Sequence, residues 1–249
     1  MGNFTKWLGA GLGFTLGGPI GAAIGFAIGS FVDGFSAADI TVEQREYQRT
    51  INQNQNTQSG DFEISLLVLA SIVIKSDGKI DQSELNFVRN QFYAMYGEQR
   101  ANHAFKLFKG IIKKDISARQ VCVQIREHMP HASRLQLIHF LFGIAKADDF
   151  VSEKEIDEIR KIAGYLYINQ PDFESIKAMF YDESGSAYKI LEIEKTATDD
   201  EVKKAYRNLA KKHHPDKLQD LGEEHLKGAQ EKFQSIQAAY EKIKKERGF

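Results

Sequence analysis

The chain has 249 residues, of which 42% are hydrophobic and 27% charged, with a formal net charge of −1. These values fit one or two globular cores and exclude collagen-like, wholly disordered and polytopic membrane classes. Near-neutral charge removes any global electrostatic argument for nucleic acid. A single cysteine, Cys122, excludes an intramolecular disulfide framework and a cysteine-based zinc site. It also fits a reducing compartment.

The first predicted element is apolar. Ten of the 20 glycines lie in the first 34 residues, and no charged residue falls between Trp7 and Val32. As a helix this stretch reaches roughly 39 Å at about 1.5 Å per residue. That is enough to cross a hydrocarbon core of about 30 Å with tilt. The stretch is too long for a secretory signal peptide, and no Ala-x-Ala site closes it. Gly2 is present, but Lys6 stands where a myristoylation motif wants Ser or Thr. Gly9, Gly13, Gly17, Gly21, Gly25 and Gly29 recur every fourth residue. On a helix they form a stripe that lets two backbones approach closely, which predicts a homodimer through this segment. Gly17-Gly18-Pro19 leaves a re-entrant hairpin or a peripheral anchor as the alternative to a span.

Residues 41–60 are polar and rich in Gln and Asn, and read as a linker. From 61 to 181 apolar residues recur three and four apart, which predicts helices. Pro130 falls between helical runs, and Pro171 suits the first turn of another. The segment contains a repeat: 66–88 aligns with 137–159 without a gap. Asp77 matches Asp148, Ile80 matches Val151, Glu84 matches Glu155 and Val88 matches Ile159. Two helix–turn–helix units related by duplication predict an all-α bundle.

The acidic turns resemble the second half of a calcium-binding EF-hand loop, but Val73 and Lys75 occupy positions where oxygen ligands belong. Asp81-x-x-Glu84 and Ser152-x-x-Glu155 are instead capping boxes that open the following helix. No metal site is therefore expected. This duplicated acidic bundle resembles the TerB-like domain of tellurite-resistance proteins. The resemblance leaves open whether such a domain binds metal or a partner. His103, His128, His131 and His139 show no ligand-like cluster with carboxylates and read as helix-surface or core residues. No phosphate loop, nucleophile elbow or zinc-protease motif is present, so no enzyme and no cofactor is expected.

Residues 182–186 break the helical pattern and read as a second linker. Tyr188, Ile190, Leu191 and Ile193 suggest a short helix. Thr198-Asp199-Asp200-Glu201 is a capping box that opens a longer one. In that helix Val202, Ala205, Tyr206 and Leu209 share a face, and basic residues occupy much of the rest. His214-Pro215 ends it, because the residue before proline avoids the α region. A final helix carries Leu226, Phe233, Ile236, Tyr240 and Ile243 as its apolar stripe. Two antiparallel helices joined by His214-Pro215-Asp216 are the predicted result.

Tyr188-x-x-Leu191, Lys204-Ala205-Tyr206-Arg207, His214-Pro215-Asp216 and Phe233-x-x-Ile236-x-x-Ala239-Tyr240 stand in the order and spacing of a J domain, which this region resembles. The resemblance implies docking on a DnaK-type chaperone and stimulation of its ATP hydrolysis. His214, Pro215 and Asp216 would form the trigger loop, and Lys203, Arg207 and Lys211 would face an acidic patch on the partner. Asn208 departs from the basic residue many J domains carry there. Residues 186–249 hold 14 basic and 12 acidic side chains, a net of +2, too little for strong phosphate binding. No Gly/Phe-rich segment and no cysteine zinc-binding module accompany this domain.

The whole order resembles membrane-anchored DnaJ-like proteins: a Gly-rich anchor over 1–40, a linker over 41–60, a TerB-like domain over 61–181, a linker over 182–186 and a J domain over 187–249. The expected function is a co-chaperone that recruits a DnaK-type chaperone to the bacterial inner membrane. A single pass would leave the helical domains in the cytoplasm, where DnaK and ATP are found. The alternative is a TerB-like stress-response scaffold that binds metal or a protein partner, with the J domain accessory.

Overall fold

The computed structural model describes residues 57–147, 152–181, 185–213 and 223–249. The Gly-rich segment with its glycine stripe, Asp148, Val151 and the loop residues His214, Pro215 and Asp216 lie outside them. Every element among the described residues is a helix, and none is long and apolar enough to cross a membrane. In chain order they are α1 (Thr57–Ile74), α2 (Gln82–Ile111), α3 (Ala118–His128), α4 (His131–Ala145), α5 (Glu153–Tyr165), α6 (Gln170–Phe180), α7 (Ser186–Ile190), α8 (Asp199–Lys212) and α9 (Glu223–Arg247). Helix α1 thus begins within the stretch of 41–60 read as linker.

The duplication is visible in the packing. Helices α1 and α4 are the first helices of the two repeats, and they lie against each other at the centre of the middle unit. Both are apolar on nearly all sides: Leu66, Leu67, Val68, Leu69 and Ala70 are buried in α1, and Leu137, Ile138, Leu141, Phe142 and Ile144 in α4. A helix with no polar face has to be central. Helices α2, α3, α5 and α6 surround the pair. Matched positions have matched burial: Val88 and Ile159 are both fully buried, and so largely are Glu84 and Glu155.

Close approach of α2 to α4 depends on one glycine. A Cβ at Gly143 would lie 2.6 Å from the Phe87 ring. Helix α2 is interrupted at Gly97, whose φ of 74° suits glycine, so the chain turns within the element. A buried ion pair ties α1 to the second half of α2, with Arg100 Nη2 2.8 Å from Glu63 Oε2.

Helix α6 is a shared wall. Phe173 and Ile176 point into the middle core, where Phe142 sits with ring centroids 5.5 Å from Phe173 and 5.9 Å from Phe180. Ala178 and Met179 belong instead to the second core, with Tyr188, Leu191, Val202, Leu209, Ile236, Ala239 and Ile243. The Ser175 hydroxyl donates to the Ile190 carbonyl at 2.9 Å across the boundary. The C-terminal unit is therefore completed by a helix of its neighbour.

Candidate functional site

Helix α8 starts as its sequence prescribes. Thr198 is extended, its hydroxyl accepts from the Glu201 amide at 3.3 Å, and Glu201 accepts from the Thr198 amide at 2.7 Å. Donation by the Thr198 amide, and by its hydroxyl at 2.9 Å, holds the Glu201 carboxyl below its ordinary value. Val202 and Leu209 anchor the helix on α9, and Tyr206 stacks on Tyr240 with centroids 4.3 Å apart. The two helices are antiparallel, because Arg247 at the end of α9 reaches Asp199 at the start of α8 at 3.1 Å. Arg247 also donates to the Tyr188 hydroxyl at 3.1 Å and to the Lys195 carbonyl at 2.8 Å, which closes α7 onto the hairpin.

The basic residues expected to meet the partner fall on one stripe of α8. Lys203, Arg207 and Lys211 are spaced by four, so they lie above one another on the helix. Arg207 and Lys211 are exposed, and the Arg207 Nε donates to the Lys203 carbonyl at 3.2 Å. Lys203 is half-buried, with its ammonium 4.9 Å from the centre of the Phe249 ring.

Lys212 faces the other way. Its ammonium lies 2.6 Å from Asp172 Oδ1 in the first turn of α6, a residue only 1% exposed. His131 Nε2, at the start of α4, lies 3.3 Å from the other carboxylate oxygen. Asn169 caps α6 through the Asp172 amide at 2.8 Å, which sets Asp172 in place. Burial pushes the Asp172 carboxyl up, but bonded Lys212, nearby Lys232 and His131 outweigh it and leave it below its ordinary value. Lys232 of α9 is buried in this junction, and its ammonium has no hydrogen-bond partner among the described residues. Burial, with Lys212 adding to it, pushes Lys232 down to about 8 against the pull of Asp172 and Glu192. Burial and the same two lysines push His213 down to about 3, and burial with Lys232 does so for His139. Lost hydration and the adjacent Asp172 carboxylate raise Glu192, which Lys212 and Lys232 oppose.

His131 has one carboxylate neighbour, Asp172, 41 residues away in sequence and brought close only by the packing of α4 on α6, which makes an ion pair and not a ligand cluster. His139 is a core residue as expected, 4.8 Å from the Phe180 ring. Lys232 was missed. From 230 onward the fully buried stripe of α9 is Lys232, Ile236, Ala239 and Ile243, whereas Phe233 and Tyr240 are only half-buried. A lysine inside an amphipathic helix reads as a solvated side chain until the neighbouring unit is placed over it.

The acidic turns act as caps. Asp81 and Ser152 each accept from the first turn of their helix, and Glu84 and Glu155 return bonds to the Asp81 and Ser152 amides at 3.0 and 2.8 Å. Asp77 accepts from the Lys79 amide at 2.8 Å. Burial, with Glu158 nearby, pushes the Cys122 thiol up to about 12, which leaves it unreactive. A cleft of about 140 Å³ lined by Phe62, Phe87, His139, Phe140 and Phe180 falls below the range of ordinary small-molecule sites.

Comparisons with known proteins divide the chain in the same order as the sequence reading. Residues 1–49 match the co-chaperone DjlA transmembrane domain, residues 63–178 the tellurite resistance protein TerB, and residues 186–247 the DnaJ domain. The co-chaperone protein DjlA of Vibrio vulnificus strain CMCP6 is 30% identical over 239 residues, covering 79% of this chain and 82% of that protein. The DjlA protein of Coxiella burnetii is 28% identical over 199 residues, covering 70% of this chain and 73% of that protein. Over 64 residues the Shewanella oneidensis DjlA protein reaches 53% identity. No solved structure matches. A membrane-anchoring domain, a TerB domain and a J domain in that order, together with these relatives, establish that the chain belongs to the DjlA-type, non-enzymatic co-chaperone family.

Proposed function

We propose that this chain recruits a DnaK-type chaperone to the inner face of the bacterial inner membrane and stimulates its ATP hydrolysis through His214, Pro215 and Asp216. The observation that carries this reading is the basic stripe of half-buried Lys203 and exposed Arg207 and Lys211 on a capped helix whose chain runs directly into His-Pro-Asp. An acidic surface on the partner would meet that stripe, and such complementarity raises the association rate and sets orientation. Pro215 stiffens the loop, and Asp216 offers a carboxylate to a cationic site of the partner. The anchor over 1–40 holds the complex at the bilayer, with the TerB-like domain over 61–181 and the J domain over 187–249 in the cytoplasm. The linkers expected at 41–60 and 182–186 give way to helix at Thr57 and Ser186, where α1 and α7 begin.

The test is single-turnover ATP hydrolysis by DnaK with the full chain in phospholipid membranes. His214→Gln abolishes stimulation while the helical content and melting of the chain stay as in the wild type. Wild-type stimulation by that variant overturns the loop mechanism. Two copies associate through the stripe from Gly9 to Gly29, so replacing Gly17 and Gly21 with Leu weakens crosslinking in bilayers. Equal crosslinking of both forms removes the homodimer.

A further inference from the structure

The middle domain holds the J hairpin with more than apolar contact. Three features meet at the C-terminal end of α8. Asp172 of the middle domain grips Lys212, the last residue of that helix. His213, the next residue, is buried, and its ring Nε2 has no hydrogen-bond partner among the described residues. Lys232 of α9 is buried, its ammonium has no hydrogen-bond partner among the described residues, and Asp172 is one of the two carboxylates that offset its charge. The elements packed there contribute His131 and His139 from α4, Asp172 from α6, Glu192 after α7, Lys212 and His213 from α8, and Lys232 from α9.

This arrangement is asymmetric in a way that bears on activity. The same helix leaves Arg207 and Lys211 exposed to solvent, while Lys212 beside them reaches over to Asp172 of the middle domain. The middle domain therefore grips α8 without covering the basic stripe. It does so at the last helical residue, two positions before His214.

We propose that Asp172 is a positioning residue for co-chaperone activity: through Lys212 the TerB domain fixes the end of α8 from which the His-Pro-Asp segment departs. The inference rests on the function proposed above and deepens it. The J domain then works as one piece with its neighbour, and the orientation in which it meets DnaK is set from the middle domain. Removing the carboxylate leaves the encounter surface intact but reduces the share of molecules whose helix end is correctly placed. Maximal stimulation falls, and the DnaK concentration needed for half of it changes little.

The experiment compares the full chain in phospholipid nanodiscs as wild type, Asp172→Asn, Lys212→Met and the double variant. DnaK single-turnover hydrolysis is measured against DnaK concentration. Asparagine keeps the size of the side chain, and Lys212→Met keeps most of the packing should the first variant fail to fold. The expected loss in maximal stimulation is about fivefold to tenfold for either single variant, equivalent to one ordinary hydrogen bond, since the lysine is partly in solvent. The double variant is no worse than the more impaired single variant, because both remove the same link. Arg207→Ala provides the contrast and raises the half-saturating concentration. Unchanged maximal stimulation in both single variants overturns the proposal. So does a rise in stimulation, which would make the contact a restraint, or a double variant whose losses multiply. A wild-type chain that does not stimulate DnaK refutes the function itself. A wild type that stimulates, with His214→Gln inactive and Asp172→Asn unimpaired, refutes only the positioning role.

Discussion

The two cores of this molecule are held together differently. The middle domain is built around two helices that are apolar on nearly all sides, and its buried polar groups, such as Glu63 paired with Arg100 and His139 against Phe180, link elements of the same domain. The J hairpin has a thinner core, completed by Ala178 and Met179 of the neighbouring domain. Its boundary holds buried Lys232, buried His213 and the Asp172–Lys212 pair. Apolar burial is non-directional and tolerates repacking. An ion pair with one buried partner is a poor source of net stability but a constraint on geometry once formed, because breaking it strands the buried Asp172 charge. The difference fits a scaffold on one side and an oriented working part on the other.

The largest expected effect breaks the middle core. Phe142 is fully buried against Phe173, Phe180 and Tyr181. Phe142→Ala should destabilise the chain by about 3–5 kcal/mol. Because Phe173 and Phe180 belong to the shared wall, hydrogen exchange should quicken in α8 and α9 as well as in α4. Quickening confined to the middle domain would mean that the two cores are energetically separate.

Acid should sharpen the contrast from the other side. Native His139 and His213 lie at about 3, against 6.5 in the unfolded chain. Above pH 6.5 both states are neutral and stability is unaffected. Between pH 6.5 and 3 the unfolded chain takes up protons that the native state refuses, so stability falls by up to about 1.4 kcal/mol per pH unit for each histidine. Asp172 adds to this as pH falls through its lowered native value. Lys232, at about 8 instead of 10.5, makes its change between those values and is flat in acid. Protection of the α8 and α9 amides should therefore fall below pH 6.5 before that of α1. His139→Leu should remove one histidine's share of the loss, and an unchanged profile would assign the acid response elsewhere.

The smallest effect concerns a cap far from the junction. Ser152→Ala removes the acceptor for the Glu155 amide and should cost about 1 kcal/mol in thermal unfolding, with DnaK stimulation unaltered. Loss of stimulation at constant stability would give the acidic turn a working role that capping does not explain.

Much of the fold was legible from local pattern. The capping boxes at Asp81, Ser152 and Thr198 appear at the residues expected, since a cap needs only a side chain and an amide three residues on. The repeat was legible because duplication preserves burial, as Val88 and Ile159 show. The stripe of Lys203, Arg207 and Lys211 followed from helical spacing. The break at Gly97 was not legible, because glycine also occurs in continuous helices and only its φ reveals the turn.

By itself the sequence determined the all-helical class, the order of the domains, the caps and the basic stripe, all consequences of contacts within a few residues or of long motifs. Tertiary structure alone decided which face of α9 is buried, that α6 serves two cores, and that Asp172, His131, Lys212 and Lys232 meet. Those residues lie on four helices, and Asp172 and Lys212 are 40 positions apart. No periodicity encodes such a meeting, because it depends on how finished helices pack. A charge buried by a neighbouring domain is indistinguishable in sequence from one left in water.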